Sequence, residues 1–490
     1  MLTFSCSLFL CLFLCVYRGK IMKLYKKDPA FYGKVFTIAI PIALQSLISI
    51  GVNMLDTIMV GKLGENSLSA TSLANSFISI YHIFCMGLGM GASVLVSRYW
   101  GMKSSVSEDK SIVGESANAG HALKQTVALM LRITLILASL FALATLFFPG
   151  TLMKMYTPDA EIIRLGSVYF KYSVITYFFL GTSLVSTIVL RSVGEVRFPL
   201  FVSIGAFFVN LGANYIFIFG KLGAPRMEVA GAALGTLIAR IFEATLILFY
   251  LFVVDKRIAF KVKDLFMKTS SLIGEYIRIS IPVLISDAIL ALGSNSVAMV
   301  IGRLGATFVA ANAITAVTQQ LSTVVIQGVS QAGAIVTGQT LGTGNKEKTM
   351  EQGWLFLGLG FGLGAISALF IMLAKNPIIS FYSDVSAETQ TIAGQLMVAI
   401  SIIIIFQAAN SIMTKGVLRG GGDTKVLMLA DNIFLWAVAI PLGILAGFVL
   451  HLPAFWIYVC LKSDQIIKTF WCVIRLQSGK WIKKISTGKH

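Results

Sequence analysis

Apolar runs of about 20 residues recur along this 490-residue chain, and a chain built from such runs is confined to a bundle of membrane-crossing helices. Each run is long enough to cross a hydrocarbon core of roughly 30 Å. Twelve are expected, near 35–60, 68–96, 127–148, 168–190, 198–219, 229–254, 277–301, 308–336, 354–373, 392–418, 426–449 and 453–474. Composition agrees: 56% of residues are hydrophobic and only 13% charged, where a soluble domain carries about 25% charged residues. The mean hydropathy is +0.83. The fold class is therefore all-α and integral to the membrane.

The runs are not independent, because residues 41–101 return 241 positions later without a gap. Pro41 pairs with Pro282, Gly61 with Gly302, Leu63 with Leu304, Gly64 with Gly305, Ala70 with Ala311, Gly87 with Gly328 and Gly101 with Gly342. A second correspondence joins VLRSVGEVR at 189–197 to VLRGGGDTK at 417–425, at an offset of 228. The change of offset fits an insertion around 104–120. Six helices per copy bring both copies into the membrane from the same side, so two parallel six-helix repeats are predicted. The lobes are placed at 22–254 and 275–490, joined by a linker at 255–274.

Charge then orients the bundle. The net charge is +18, but no basic stripe or nucleic-acid motif accompanies it, so no nucleic-acid partner is expected. The basic residues sit between helices, as in DKRIAFKVKDLFMK at 255–268, and at the ends, as in the tail 480–489. Loops rich in Lys and Arg stay on the cytoplasmic side, which puts both termini there. Residues 1–21 form an apolar run too short to span, ahead of Met22 and a basic lead-in. They read as an over-call of the start codon, with a cleaved signal or a short membrane-dipping segment as alternatives. Residues 463–475, interrupted by charge, are expected to leave the bilayer as a helix lying on its surface. The six cysteines form no CxxC pair, so neither a disulfide framework nor a metal site is predicted.

No enzyme is expected. HExxH, GxSxG and the phosphate-cradling GxxxxGK[ST] are all absent, so neither hydrolysis nor ATP drive is supported. An ion gradient is the remaining source of energy. Asp56 is conspicuous, because an ionisable side chain at a helix centre costs about 2.5–3.5 kcal/mol to insert and marks a functional candidate. The repeat places Val297 opposite it. Asp56 reads as a group that binds H⁺ or Na⁺, the alternative being a structural carboxylate satisfied by Asn53 and Thr57. Asn210 and Asn214 lie four apart on helix five, on one face, and Thr236 adds a hydroxyl on helix six. Asn75, Asp287, Gln320, Gln327, Gln407 and Asn410 are assigned to the walls of a wet substrate cavity. For each Gln or Thr singly, an interhelical hydrogen bond is the competing reading. Arg240 and Glu243, one turn apart, are expected to pair.

Together the first-helix Pro41 with LDTIMVGKLG at 55–64, the two VLR turns, NLGANYIFIFGKLGAP followed by GAALGT, and the closing SGKW at 478–481 resemble the multidrug and toxic compound extrusion (MATE) family. The resemblance implies twelve helices in two lobes around a central cavity that opens alternately to each side. It also implies efflux of cationic, often aromatic, small molecules in exchange for H⁺ or Na⁺, with no cofactor. By that likeness Asp56, Asn210, Asn214 and Thr236 form the cation site of the first lobe, the only place where a Na⁺ ion is expected. The second lobe departs from the pattern. Asp287 lies a turn before the family's helix-seven carboxylate, and Ala408 stands where an acid is expected in helix ten. Coupling is thus assigned to the first lobe. A monomer in a bacterial plasma membrane is expected. The rivals are a flippase or exporter of lipid-linked oligosaccharide on a related fold, and a non-transporting channel or sensor.

Overall fold

A computed structural model describes residue 28 and residues 30–106, 113–382 and 385–483. The segment 1–21 lies outside the described residues. Among those described there is no strand. The helices are α1 Ala30–Gly61, α2 Glu65–Val106, α3 Val113–Phe147, α4 Ala160–Ser192, α5 Arg197–Phe219 and α6 Val229–Val254. They continue as α7 Ser270–Arg303, α8 Ala306–Gly342, α9 Lys346–Phe381, α10 Ala387–Leu418 and α11 Thr424–Val449. These eleven are long and apolar enough to cross a membrane. The twelfth, α12, comes in two pieces, Ala454–Leu461 and Ser463–Gln477, separated at Lys462.

The sequence repeat reappears as backbone geometry. Gly64 and Gly305, 241 positions apart, have φ of 109° and 111°, and Gly194 and Gly422, 228 apart, both have φ of 84°. A side chain would be strained at each of these turns. Helix starts carry the expected capping chemistry: Asp159 accepts from the Glu161 and Ile162 amides, and Asn345 accepts from that of Lys348.

By packing, the chain divides into two compact units. One is Pro41–Ala288; the other takes the described residues before Pro41 and those from Ile289 onward. Both divisions fall inside a helix, in α1 at Pro41 and in α7 six residues after Pro282. The start of α1 packs with the second unit, where Phe31 meets the ring of Phe356 edge-on at 4.9 Å. The start of α7 packs with the first, where Tyr276, Ile279 and Val283 are buried in the core formed with α2, α3 and α4. A Cβ on Gly87 of α2 would stand 2.8 Å from the Leu284 Cα, so this crossing admits no side chain there. Beyond Ile289, α7 belongs to the second unit, and Trp436 Nε1 donates to the Ile289 carbonyl at 3.4 Å.

The segment after α6 is docked along α3. Arg132 donates to the carbonyls of Leu265 and Met267, Gln125 to that of Lys268 at 2.7 Å, and Lys124 Nζ pairs with Asp264 at 2.9 Å. Burial pushes the Asp264 carboxyl up, but the Lys261 amide and the Lys124 ammonium outweigh it and hold it below the usual aspartate range.

The acid of each VLR turn is bound by bases at the end of, or just after, the sixth helix of its repeat. Glu195 pairs with Arg257 at 3.1 Å, and Asp423 with Arg475 at 2.7 Å and Lys483 at 3.5 Å. Trp481 is fully buried against Gly421 and Gly353. Arg191 of the first turn is not Glu195's partner; its guanidinium donates to Gln45 of α1.

The helix at 463–475, expected to lie on the membrane surface, packs its charged face into the second unit. Asp464, Lys468, Thr469 and Cys472 are all buried, and Thr469 Oγ1 donates to the Phe406 carbonyl of α10 at 2.9 Å. The charges that break the apolar run are compensated inside the unit rather than by water.

Candidate functional site

Asp56 lies on α1, past Pro41, in the Pro41–Ala288 unit. Its Oδ1 accepts a 2.6 Å hydrogen bond from Asn214 Nδ2, and the same nitrogen lies 3.3 Å from Asn210 Oδ1. The spacing of four on α5 therefore does what the sequence suggests and aims both amides along one face. Asn210 is 4% exposed and Asn214 1%, so water contributes little to either. Of the local alternative partners, the Thr57 hydroxyl donates to the Asn53 carbonyl at 2.7 Å rather than to Asp56.

Helix α6 closes the site from behind by being small. A Cβ on Gly235 would stand 3.0 Å from the Asn214 backbone nitrogen and closer still to its Oδ1. One turn earlier, Gly231 lies as tightly on the Phe217 carbonyl. Thr236, next to Gly235, lies near the Tyr169 hydroxyl. Tyr169 of α4 also donates to Asn75 Oδ1 of α2 at 3.2 Å. Asn75 and Thr236, assigned separately from the sequence to the cavity wall and the cation site, thus meet at one tyrosine. Arg240, a turn beyond Thr236, pairs with Glu243 at 2.6 Å as expected.

Asn214 Oδ1 is buried and has no hydrogen-bond partner among the described residues. An amide turned end for end exchanges donor and acceptor. With nitrogen toward Asp56 it serves an ionised carboxylate; with oxygen toward Asp56 it serves a protonated carboxyl or a bound cation. Oxygen donors of this kind suit hard cations.

The other assigned residues lie elsewhere. Asp287 is half-buried on α7 within the Pro41–Ala288 unit. Gln320 and Gln327 are exposed on α8. Gln407 of α10 accepts from Gln319 Nε2 at 2.9 Å, and the Tyr458 hydroxyl adds a 3.5 Å bond to Gln319. Asn410 is buried and donates to Gln465 of α12 at 2.8 Å, so its amide serves a helix contact. A cavity of about 450 Å³, lined by Lys375, Gln390, Gln395 and Phe455 among others, holds none of the assigned residues. Sequence reasoning missed Tyr169, because a tyrosine in an apolar helix looks like packing, and it missed Asp431 of α11. The second was detectable as an acid inside an apolar run.

Eleven helices able to cross a membrane, with a half-buried carboxylate on α1 hydrogen-bonded by an α5 amide, are what a multi-pass transporter presents. The MatE family model matches residues 41–107, 110–216 and 282–454, and the chain belongs to that family. It is 27% identical over 413 residues to "Multidrug resistance protein NorM" of Burkholderia vietnamiensis, covering 83% of this chain and 85% of that one. To the "Uncharacterized transporter YisQ" of Bacillus subtilis it is 22% identical over 454 residues, covering 92% and 95%. In structure it superposes on the Vibrio cholerae MATE transporter VcmN with a TM-score of 0.81 at 18% identity, covering 94% and 99%. A MOP superfamily transporter of Pyrococcus furiosus gives 0.77 at 20% identity, covering 91% and 96%. These two likenesses concern the fold.

Proposed function

We propose that this protein is a secondary antiporter that exports cationic or aromatic small molecules in exchange for H⁺ or Na⁺, with Asp56 as the coupling group. The observation that carries the reading is the 2.6 Å bond from Asn214 Nδ2 to Asp56, with the unpartnered Asn214 oxygen beside it. That arrangement answers to a change of charge on one carboxylate. Exchange requires the ion to be held in one state of the transporter and released in the other, because only a difference in affinity moves a conformational equilibrium. Asn210 and Thr236 complete the cation site, while Asp287, Gln320, Gln327 and Gln407 face substrate. The names of its NorM relatives support multidrug efflux. The protein acts as a monomer in a bacterial plasma membrane with both termini cytoplasmic.

The test is efflux from inverted vesicles under ΔpH alone and under a Na⁺ gradient alone. Asp56→Asn keeps the hydrogen bonding but removes charge and proton. Gradient-driven efflux should fall to background while the protein still inserts, and substrate binding should persist with its ion dependence flattened. Asp287→Asn should alter substrate affinity and leave coupling intact. Normal transport by Asp56→Asn together with a dead Asp287→Asn would overturn the assignment.

A further inference from the structure

The second unit carries its own buried charges, and the coupling reading does not use them. Asp431 of α11 is 6% exposed, and Asp464 and Lys468 of α12 are 2% and 3%. Lys468 Nζ lies 3.1 Å from Asp464 Oδ2 and 3.4 Å from Asp431 Oδ1. The surrounding oxygens extend the group. Asp464 Oδ2 also accepts from Gln465 Nε2 at 2.6 Å, Gln465 Oε1 accepts from Asn410 Nδ2 at 2.8 Å, and Asn410 Oδ1 faces Cys472 Sγ at 3.9 Å. Lys462, between the two pieces of α12, is the other ammonium on this element. Two buried carboxylates on either side of one positive charge supply the oxygen ligands and the negative charge that a hard monovalent cation would need in a dry site. Here the positive charge is covalently part of helix α12 and cannot leave.

We infer that Lys468 is a tethered counter-cation: its ammonium takes the place an exchangeable ion would fill between Asp431 and Asp464, and so withdraws this half of the protein from ion coupling. The inference rests on the coupling role given to Asp56 above. It explains how the second repeat buries Asp431 and Asp464 beside each other without an exchangeable ion. Because Lys468 is part of the chain, no step of a transport cycle has to supply or remove a cation there. Removing one member of a buried charge group leaves the others uncompensated. Removing Lys468 alone therefore opens a site for a free cation, which an ordinary structural ion pair would not do.

The experiment uses full-length protein carrying D56N, so that the first unit's site is silent, and compares K468M with K468R. Unfolding midpoints are measured in detergent in sodium chloride and in choline chloride at equal ionic strength. A cation that binds only the folded state raises its midpoint. D56N/K468M should gain several degrees in sodium over choline, D56N and D56N/K468R should gain nothing, and adding D431N to D56N/K468M should erase the gain. Equal midpoints for D56N/K468M in the two salts overturn the inference. So does a D56N/K468M protein that is recovered in neither salt, since the added sodium should have filled the vacated place. As a second measurement, D431N/D464N/K468M on the native Asp56 should keep efflux with the native ion dependence; loss of that dependence in folded, inserted protein also overturns it. Failure of the Asp56 reading is seen separately, as normal coupled efflux by D56N, and leaves the midpoint comparison standing.

Discussion

Asp56 needs Asn214, and Asn214 needs Gly235. The amide has room to reach the carboxylate only because α6 presents no side chain at that turn. Gly235→Ala should displace Asn214 and cost roughly 1–3 kcal/mol of stability, the usual range for overpacking a close contact. Its diagnostic effect is a weakened ion dependence of efflux, read from vesicles in which the protein level is matched to wild type. Tyr169→Phe removes the hydroxyl that joins Asn75 to the site. It should cost about 0.5–1.5 kcal/mol and lower efflux without abolishing it, whereas Asp56→Asn abolishes it. The acid and its two amides were legible in the sequence because a charge in an apolar run stands out and a spacing of four defines a helix face. Tyr169 was not, since nothing in a linear chain distinguishes a bonded phenol from a packed ring.

The segment after α6 behaves as an element rather than a tether. Side chains of α2 and α3 hold it, among them Lys103 donating to the Arg257 carbonyl at 2.6 Å and Lys124 pairing with Asp264. Because Asp264 titrates below its ordinary value in the folded protein, its contribution is complete above the ordinary aspartate range. It disappears as pH falls through the lowered value. Hydrogen exchange of the amides around Lys261 should therefore be slow at neutral pH and quicken in acid. Asp264→Asn should make it fast and nearly independent of pH beyond the intrinsic rate; unchanged protection in that variant would contradict the docking. Helix α12 teaches a related lesson. Counted singly, Lys462, Asp464 and Lys468 read as a helix leaving the bilayer. Yet Lys468 pairs with Asp464 a turn away and with Asp431 on a different helix, and one-dimensional hydropathy does not see partners across helices.

At the scale of the whole molecule, the repeat and the helix count followed from the sequence, while the exchange of α1 and α7 between units did not. Periodicity reports how many helices there are, not which neighbour each half of a helix touches. The exchange has a testable result, because the core of the Pro41–Ala288 unit includes Tyr276, Ile279 and Val283 from the start of α7. Split proteins 22–262 and 263–490 should each be protease-sensitive when expressed alone and become resistant when expressed together. Resistance of 22–262 on its own would show that α7 is dispensable to that core. The Asp431–Lys468 pair also bears on how the chain is made. Lys468 follows Asp431 by 37 residues, so α11 meets the translocon while its counter-charge is still inside the ribosome. During that interval the acid has no Lys468 beside it, and the buried pairing that α11 finally makes is complete only when α12 arrives. The last two helices are thereby bound to enter the membrane as a pair, and a ribosome stalled between them leaves a chain that quality-control proteases can recognise by its stranded acid.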